Sequence, residues 1–340
     1  MIRVLVVDDS AVVRQVLTEG LAQFSDILVV GSAIDPYVAR DKIAHLKPDV
    51  LTLDLEMPRM DGLAFLTKLM KHHPLPVVVV SSLTAKDGEM ALRALAEGAV
   101  EVIAKPGSAY TTPDFGRLAR AIRAAAVAKP RQRSELSDKP GGAPLMRTTN
   151  KIIAIGASTG GTTAIETFLR EMPANAPGTV IVQHMPEGFT RTFAERLNSV
   201  SQMTVSEARD NDLITPGVAL VAPGNHHLVV KRDGAYYVAT LKTGPLVFYQ
   251  RPAVELLFQS VARSAGSDAV GVILTGMGAD GSKGLLEMRS SGAYTIAQDE
   301  ASSVVFGMPK EAIKLGAAVD VLPLNKIAGA VLDHFADGDI

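Results

Sequence analysis

The residues able to do chemistry stand at the ends of apolar runs. Gly156-Ala157-Ser158-Thr159-Gly160-Gly161 follows Lys151-Ile152-Ile153-Ala154-Ile155 directly. This places a serine where a strand turns into a helix, among residues small enough for a substrate carbonyl to approach the backbone. His184 closes the run Val180-Ile181-Val182-Gln183, and Asp280 follows the segment from Val272 to Ala279. In parallel α/β folds the carboxyl ends of the strands share one edge, so serine, histidine and aspartate are expected to meet there as nucleophile, general base and orienting carboxylate. The chain has no cysteine, which rules out disulfides, thiolate metal sites and a cysteine nucleophile.

The first half carries chemistry of another kind. Val4-Leu5-Val6-Val7 runs into Asp8-Asp9, Val50-Leu51-Thr52-Leu53 into Asp54, and Val77-Val78-Val79-Val80 into Ser81-Ser82, before Lys105-Pro106 ends a fourth short strand. Any one of these polar groups would pass for a solvated strand end. Together, three acids, a hydroxyl and a lysine describe a site for Mg²⁺ and a phosphoryl group, because Mg²⁺ prefers oxygen ligands and offsets the repulsion between carboxylate and phosphate. Asp8 or Asp9 with Asp54 suits the metal, Lys105 can pair with phosphoryl oxygens, and the Ser81 hydroxyl can donate to one of them.

The elements that must position these groups are legible as periodicities. Ala11 to Gln23 has helical spacing of apolar residues, as do Gly62 to Lys71 and Glu89 to Glu97, and they alternate with the short strands. Gly31, Gly62 and Gly98 are expected near element ends. At 340 residues the chain has room for about two domains. From about Ala126 to Asn150 charge, proline and glycine mix without a period that could bury a face. Residues 1–122 are therefore expected to form one domain, 123–149 a linker and 150–340 a second domain. In that second domain, His227-Leu228-Val229-Val230-Lys231 and Tyr236-Tyr237-Val238-Ala239-Thr240 read as an antiparallel hairpin.

Composition narrows the function classes. A net charge of −2, from 34 basic and 36 acidic residues, offers no broad attraction to nucleic acid or anionic membrane. The first apolar run is broken by Asp8-Asp9 too early for a signal peptide, and no stretch reaches the ~18 apolar residues a membrane span needs, so a cytoplasmic protein without membrane insertion is expected. The C-terminal region, with Asp333, Asp337 and Asp339, shows no basic recognition helix of a DNA-binding output domain.

Leu53-Asp54-Leu55-Glu56-Met57-Pro58 and Gly156-Ala157-Ser158-Thr159-Gly160-Gly161, with the strand-end residues around them, carry a resemblance that covers the chain essentially end to end. Residues 1 to about 122 resemble the flavodoxin-like, five-stranded receiver domain of bacterial two-component response regulators. Residues 150–340 resemble the catalytic domain of the chemotaxis protein-glutamate methylesterase family, a doubly wound, mostly parallel α/β hydrolase. The resemblance implies Asp54 as the phosphorylated residue, and Asp9, Asp54 and the backbone carbonyl of Glu56 as direct Mg²⁺ ligands. It further implies an oxyanion donor at Met277, a supporting hydrogen-bonding residue at Thr159, and no cofactor for the hydrolysis itself. The implied reaction is hydrolysis of glutamate γ-methyl esters on chemoreceptor helices, together with deamidation of specific receptor glutamines. A chemotaxis histidine kinase would be the phosphodonor. Many receivers carry an aromatic residue three before the lysine; here the position is Val102.

Competing patterns fail on particular residues. Gly-Ala-Ser-Thr-Gly fits the Gly-x-Ser-x-Gly pattern, but in ordinary α/β-hydrolases the acid precedes the histidine, whereas the order here is Ser158, His184, Asp280. In a dinucleotide loop Ser158 would replace the second glycine of Gly-x-Gly-x-x-Gly, and the next strand ends in His184 instead of a ribose-binding acid. A second domain that only binds a partner, with the three residues serving structure, is separated from the enzyme by reaction with a serine-directed fluorophosphonate. His226-His227 suits a loop or substrate rim better than a metal, His72-His73 a solvated helix end, and Met185, Met277, Met288 and Met308 core or pocket walls.

Overall fold

A computed structural model describes residues 1–57, 60–82, 85–105, 114–128 and 150–337, with the side chains of 85–87 and 337 left out. The chain divides into two compact units, Met1–Glu135 and Leu136–Ile340.

The first unit alternates strand and helix: β1 (Ile2–Val7), α1 (Ala11–Leu21), β2 (Ile27–Ala33), α2 (Pro36–Leu46), β3 (Val50–Leu53) and α3 (Gly62–His72). It continues with β4 (Val77–Ser81), α4 (Ala85–Ala96), β5 (Glu101–Ala104) and α5 (Phe115–Val127). All five strands are parallel, in the order β2-β1-β3-β4-β5. Helix α1 packs on α5 and α3 on α4, so both sheet faces are covered; this is why β3 and β4 read as mostly apolar runs without alternation. Helix starts are set locally, by Ser10 accepting from Val13 N–H and Asp35 from Tyr37 and Val38 N–H.

Two details depart from the sequence reading. Gly31 lies inside β2 beside a bulge where the register with β1 shifts, and a Cβ there would stand 2.8 Å from Leu46. Helix α5 runs to Val127, beyond the expected boundary at 122, because Leu118, Ala121, Ile122 and Ala125 keep burying one face. The remainder of the expected linker, 129–149, and Pro58 and Pro106 lie outside the described residues.

The second unit begins with β6 (Ile152–Ala157), α6 (Gly161–Glu171), β7 (Gly178–Gln183), α7 (Phe189–Val200), β8 (Thr204–Glu207), β9 (Leu213–Ile214) and β10 (Val218–Val221). The hairpin β11 (His227–Asp233) and β12 (Tyr236–Lys242) follows, then α8 (Val254–Ala265), β13 (Ala269–Ile273) and α9 (Ser282–Ser290). The unit ends with β14 (Tyr294–Gln298), α10 (Met308–Lys314), β15 (Asp320–Leu322) and α11 (Leu324–Asp337). Seven parallel strands form the main sheet in the order β15-β14-β13-β6-β7-β10-β8, and β9 joins the expected hairpin in a small antiparallel sheet. Helix α6 packs on α7 and α11, and α8 and α10 pack on α9.

Beyond the hairpin the chain makes a tight turn in which Val247 and Gln250 exchange backbone hydrogen bonds of 3.1 and 2.9 Å. Its two central residues, Phe248 and Tyr249, have φ of 50° and 62°. That left-handed backbone costs a non-glycine residue about 1–3 kcal/mol and persists only where the surroundings enforce it.

Candidate active site and receiver acid pocket

In the catalytic unit, the connections of β6 and β13 leave in opposite directions, to β7 and to β14, so the crevice beyond their carboxyl ends is the natural place for a ligand. Ser158 is the first residue after β6, His184 the first after β7, and Asp280 lies in the segment after β13. Backbone pairing continues past the strands: Ser158 N–H donates to Thr275 O at 3.0 Å, and His184 N–H to Ala157 O at 3.1 Å. All three side chains are buried.

Asp280 is saturated with donors. Its Oδ2 stands 2.7 Å from His184 Nε2 and accepts from Val254 N–H at 2.8 Å, while Oδ1 accepts from Glu255 N–H at 2.8 Å. Val254 and Glu255 open α8, whose N-cap, Ala253, has no side chain able to serve. The carboxylate thus caps a foreign helix, with its oxygens at the positive end of that helix. Because Nε2 faces Asp280, the other ring nitrogen, Nδ1, is left buried and without a hydrogen-bond partner among the described residues. It is the nitrogen available for a proton on the serine.

Ser158 is fenced by close backbone. A Cβ on Gly276 would fall 2.7 Å from Ser158 Cβ and 2.4 Å from Met308 Sδ, so only glycine allows this approach. Gly276 N–H bonds Val305 O at 3.0 Å, and its carbonyl accepts from Gly307 and Met308 N–H, which fixes the turn leading to Met277. Met277 is itself 37% exposed and fills no core, unlike buried Met185, Met288 and Met308. Thr159 is buried, and its carbonyl accepts from Thr275 Oγ at 2.9 Å.

Three supporting residues escaped the sequence reading. Gln183 Nε2 donates to Ser158 O at 2.9 Å and to His184 O at 3.2 Å, linking the serine and histidine loops. Thr275 Oγ accepts from Val305 N–H at 3.0 Å, and Gln298 Oε1 accepts from Thr275 N–H at 2.8 Å. The available signal was positional: Gln183 and Gln298 each close a strand whose other residues are almost all apolar. Glu255 is a fourth. Burial pushes its carboxyl up, the charge of Asp280 adds to this, and the backbone of Gly284 and Gly281 opposes it.

His227 begins β11, as the hairpin reading has it, but is buried and not on an open rim, with Nε2 at 3.0 Å from Pro245 O. Leu228 enters the core, so His227 faces the other side of the strand, where the Gly244-Pro245 segment covers it. His72 and His73 end α3 exposed, as expected.

In the first unit the connections diverge between β1 and β3, and Asp8, Asp9 and Asp54 follow those two strands. Each offers a carboxylate oxygen within 4.8 Å of the others. Lys105 Nζ stands 2.7 Å from Asp54 Oδ2 and 3.1 Å from Asp8 Oδ2, yet among the described residues neither oxygen receives a well-aligned hydrogen bond and the buried Ser81 Oγ has no partner. Burial pushes the Asp54 carboxyl up; Lys105 opposes this and Asp8 reinforces it. Burial alone would lower Lys105, but Asp54 and Asp8 outweigh it and hold the ammonium above its usual range. Orphaned buried oxygens beside one lysine fit a hard divalent cation and a phosphoryl group. Glu56 N–H bonds Asp54 Oδ1 at 3.2 Å, which keeps the Glu56 backbone beside the pocket.

Fold and sites together define a response-regulator hydrolase: a receiver domain joined to an α/β catalytic domain. Residues 153–331 match the family model described as CheB methylesterase, and residues 4–111 match the response regulator receiver domain. A protein-glutamate methylesterase/protein-glutamine glutaminase of Syntrophus aciditrophicus is 57% identical over 97% of this chain and 98% of its own length. One from Pseudomonas aeruginosa is 53% identical over 98% and 97%. The crystal structure of the Thermotoga maritima CheB methylesterase catalytic domain is 40% identical, with a TM-score of 0.53, and covers 54% of this chain and 98% of that one. The chain belongs to the CheB methylesterase family. Among the described residues no helix is long and apolar enough to cross a membrane.

Proposed function

We propose that the protein hydrolyses glutamate γ-methyl esters on chemoreceptors, and deamidates specific receptor glutamines, through an acyl-enzyme on Ser158. The observation that carries this reading is the histidine whose Nε2 is held by Asp280 while Nδ1 stays buried and open on the neighbouring strand end. Ser158 Oγ attacks the side-chain carbonyl as His184 Nδ1 takes its proton, and Asp280 stabilises the imidazolium. That proton leaves with methanol or ammonia, and water, activated by the same nitrogen, then frees the glutamate carboxylate and restores Ser158. The N–H at Met277 serves the oxyanion, a contribution of about 3–4 kcal/mol per donor in such hydrolases.

The receiver supplies control. Asp54 becomes an aspartyl phosphate, with a chemotaxis histidine kinase as donor, and Lys105 and Ser81 hold the phosphoryl oxygens. Asp8, Asp9, Asp54 and the Glu56 carbonyl are the groups that would hold Mg²⁺, which when bound supplies positive charge against the incoming phosphate. No cofactor enters the hydrolysis, and the cytoplasm is the compartment that suits such partners. The test is methanol release from methylated receptor membranes by the purified chain; a folded Ser158→Ala protein that releases methanol at the normal rate would overturn the nucleophile assignment. Should the second domain only bind a partner, Ser158 will not react with a fluorophosphonate.

A further inference from the structure

Gln183 carries a buried polar group that the steps of acyl transfer do not use, at the end of a strand whose residues are all buried. Its amide nitrogen donates to the peptides of both reacting residues, to Ser158 O at 2.9 Å and His184 O at 3.2 Å. On the other side of each Cα the backbone is already held, since Ser158 N–H bonds Thr275 O and His184 N–H bonds Ala157 O. Nucleophile and base are thus gripped both before and after their Cα atoms, and one amide supplies the second grip for both. Ser158 O also accepts from Gly161 N–H at 2.7 Å, but that bond is local to the start of α6 and leaves His184 untouched. Asp280 fixes the imidazole through Nε2. What remains to be set is the separation of the two backbones, and with it the reach from Ser158 Oγ to His184 Nδ1. The fold itself gains little from this amide. Its Oε1 is buried without a hydrogen-bond partner among the described residues, a penalty that an apolar side chain of the same length would avoid. Gly161 leaves room for that oxygen, because a Cβ there would overlap it.

We infer that Gln183 is a positioning residue for the acyl transfer, setting the distance between Ser158 and His184 through their main-chain carbonyls. The inference rests on the proposed reading and deepens it. A displacement of about 1 Å between reacting groups can lower a rate on the order of 100-fold, and two hydrogen bonds from one planar amide oppose such a displacement between the two strand ends.

The test is the full-length Gln183→Met variant, which keeps the length of the side chain but has no donor. It is measured by kcat and KM for methanol release from methylated receptor membranes, by the pH dependence of kcat, and by thermal melting. The expected result is a Tm close to the parent's, KM within about twofold, and kcat lower by about 10- to 100-fold. The acid limb of the kcat profile should keep its midpoint, because His184 still rests on Asp280. Gln183→Asn, whose amide stops one methylene short of the two carbonyls, should lose kcat in the same way. A parent-like kcat in either folded variant overturns the inference, and so does a loss carried by KM alone. A shifted acid limb would place the damage in the His184–Asp280 pair and count against it equally. Failure of both variants to fold would make the amide a requirement of the fold and remove the positioning role. A parent chain that releases no methanol, or a folded Ser158→Ala protein that releases it at the normal rate, overturns the proposed reading itself, whatever the Gln183 variants do.

Discussion

Both sheets put their polar side chains where connections leave adjacent strands in opposite directions, between β1 and β3 in the receiver and between β6 and β13 in the catalytic domain. The electrostatics differ. In the receiver, buried oxygens of Asp8, Asp54 and Ser81 lack aligned donors among the described residues, and one lysine faces two acids. In the catalytic domain Asp280 has three donors and holds one nitrogen of the histidine, whose second nitrogen stays open. The first arrangement suits a site whose charge is changed by modification, the second a site whose geometry must stay fixed through turnover.

The largest test of this contrast is catalytic. Ser158→Ala and His184→Ala should each lower methanol release about 10⁴-fold or more, and the double variant little further, because the residues act as one unit. Additive losses would break the picture of a single fixed constellation. Asp280→Asn should lower activity severely and also destabilise the catalytic domain by about 1–3 kcal/mol, since an amide nitrogen must then face an N–H donor. Denaturant melts of the variant check this, and an unchanged midpoint would separate the capping role from the catalytic one.

On the receiver side, Asp54→Asn should abolish activation by a small phosphodonor and leave basal hydrolysis. A fragment starting near Arg147 should exceed the unphosphorylated full chain about tenfold, which corresponds to about 1.4 kcal/mol of inhibition by the receiver. Equal rates would remove the inhibitory role of the receiver. A smaller effect is thermal. Mg²⁺ at ten times its dissociation constant should stabilise the parent receiver by about 1.4 kcal/mol and Asp54→Asn by less. Without cation, the raised Asp54 pKa means that protonation favours the folded state: its contribution is fully present below the unfolded carboxylate range and is lost as pH rises through the folded value. Receiver stability in chelator should therefore rise on mild acidification until other carboxylates protonate. The smallest effect expected is at Arg123, whose pair with Asp26 lowers that carboxyl to about 2. The stability it gives is present above the unfolded value of 3.8 and lost as pH falls through 2, so the melting difference between parent and Arg123→Ala should vanish in strong acid.

The sequence carried the strand-end residues clearly, because parallel strands buried on both faces read as apolar runs and whatever follows them stands out. The hairpin was legible as two short runs rich in β-branched and aromatic residues, close together in the chain. Helix α5 was cut short in the reading because the mixed composition that begins at Lys129 overshadowed the alanine-rich face before it. The pairing of Asp280 with the start of α8 joins residues 26 apart in the chain, and nothing in Ala253-Val254-Glu255 announces an external cap. The choice of Nε2 over Nδ1 is likewise set by tertiary packing.

That external cap gives Asp280 two employments, and the consequence is historical as much as physical. A descendant that gave up hydrolysis would be free to change Ser158 and His184, but would still need an acceptor at 280 to keep α8 in place. An aspartate at this position in some distant sequence is therefore poor testimony that the sequence is still an enzyme; the serine and the histidine are the witnesses to ask.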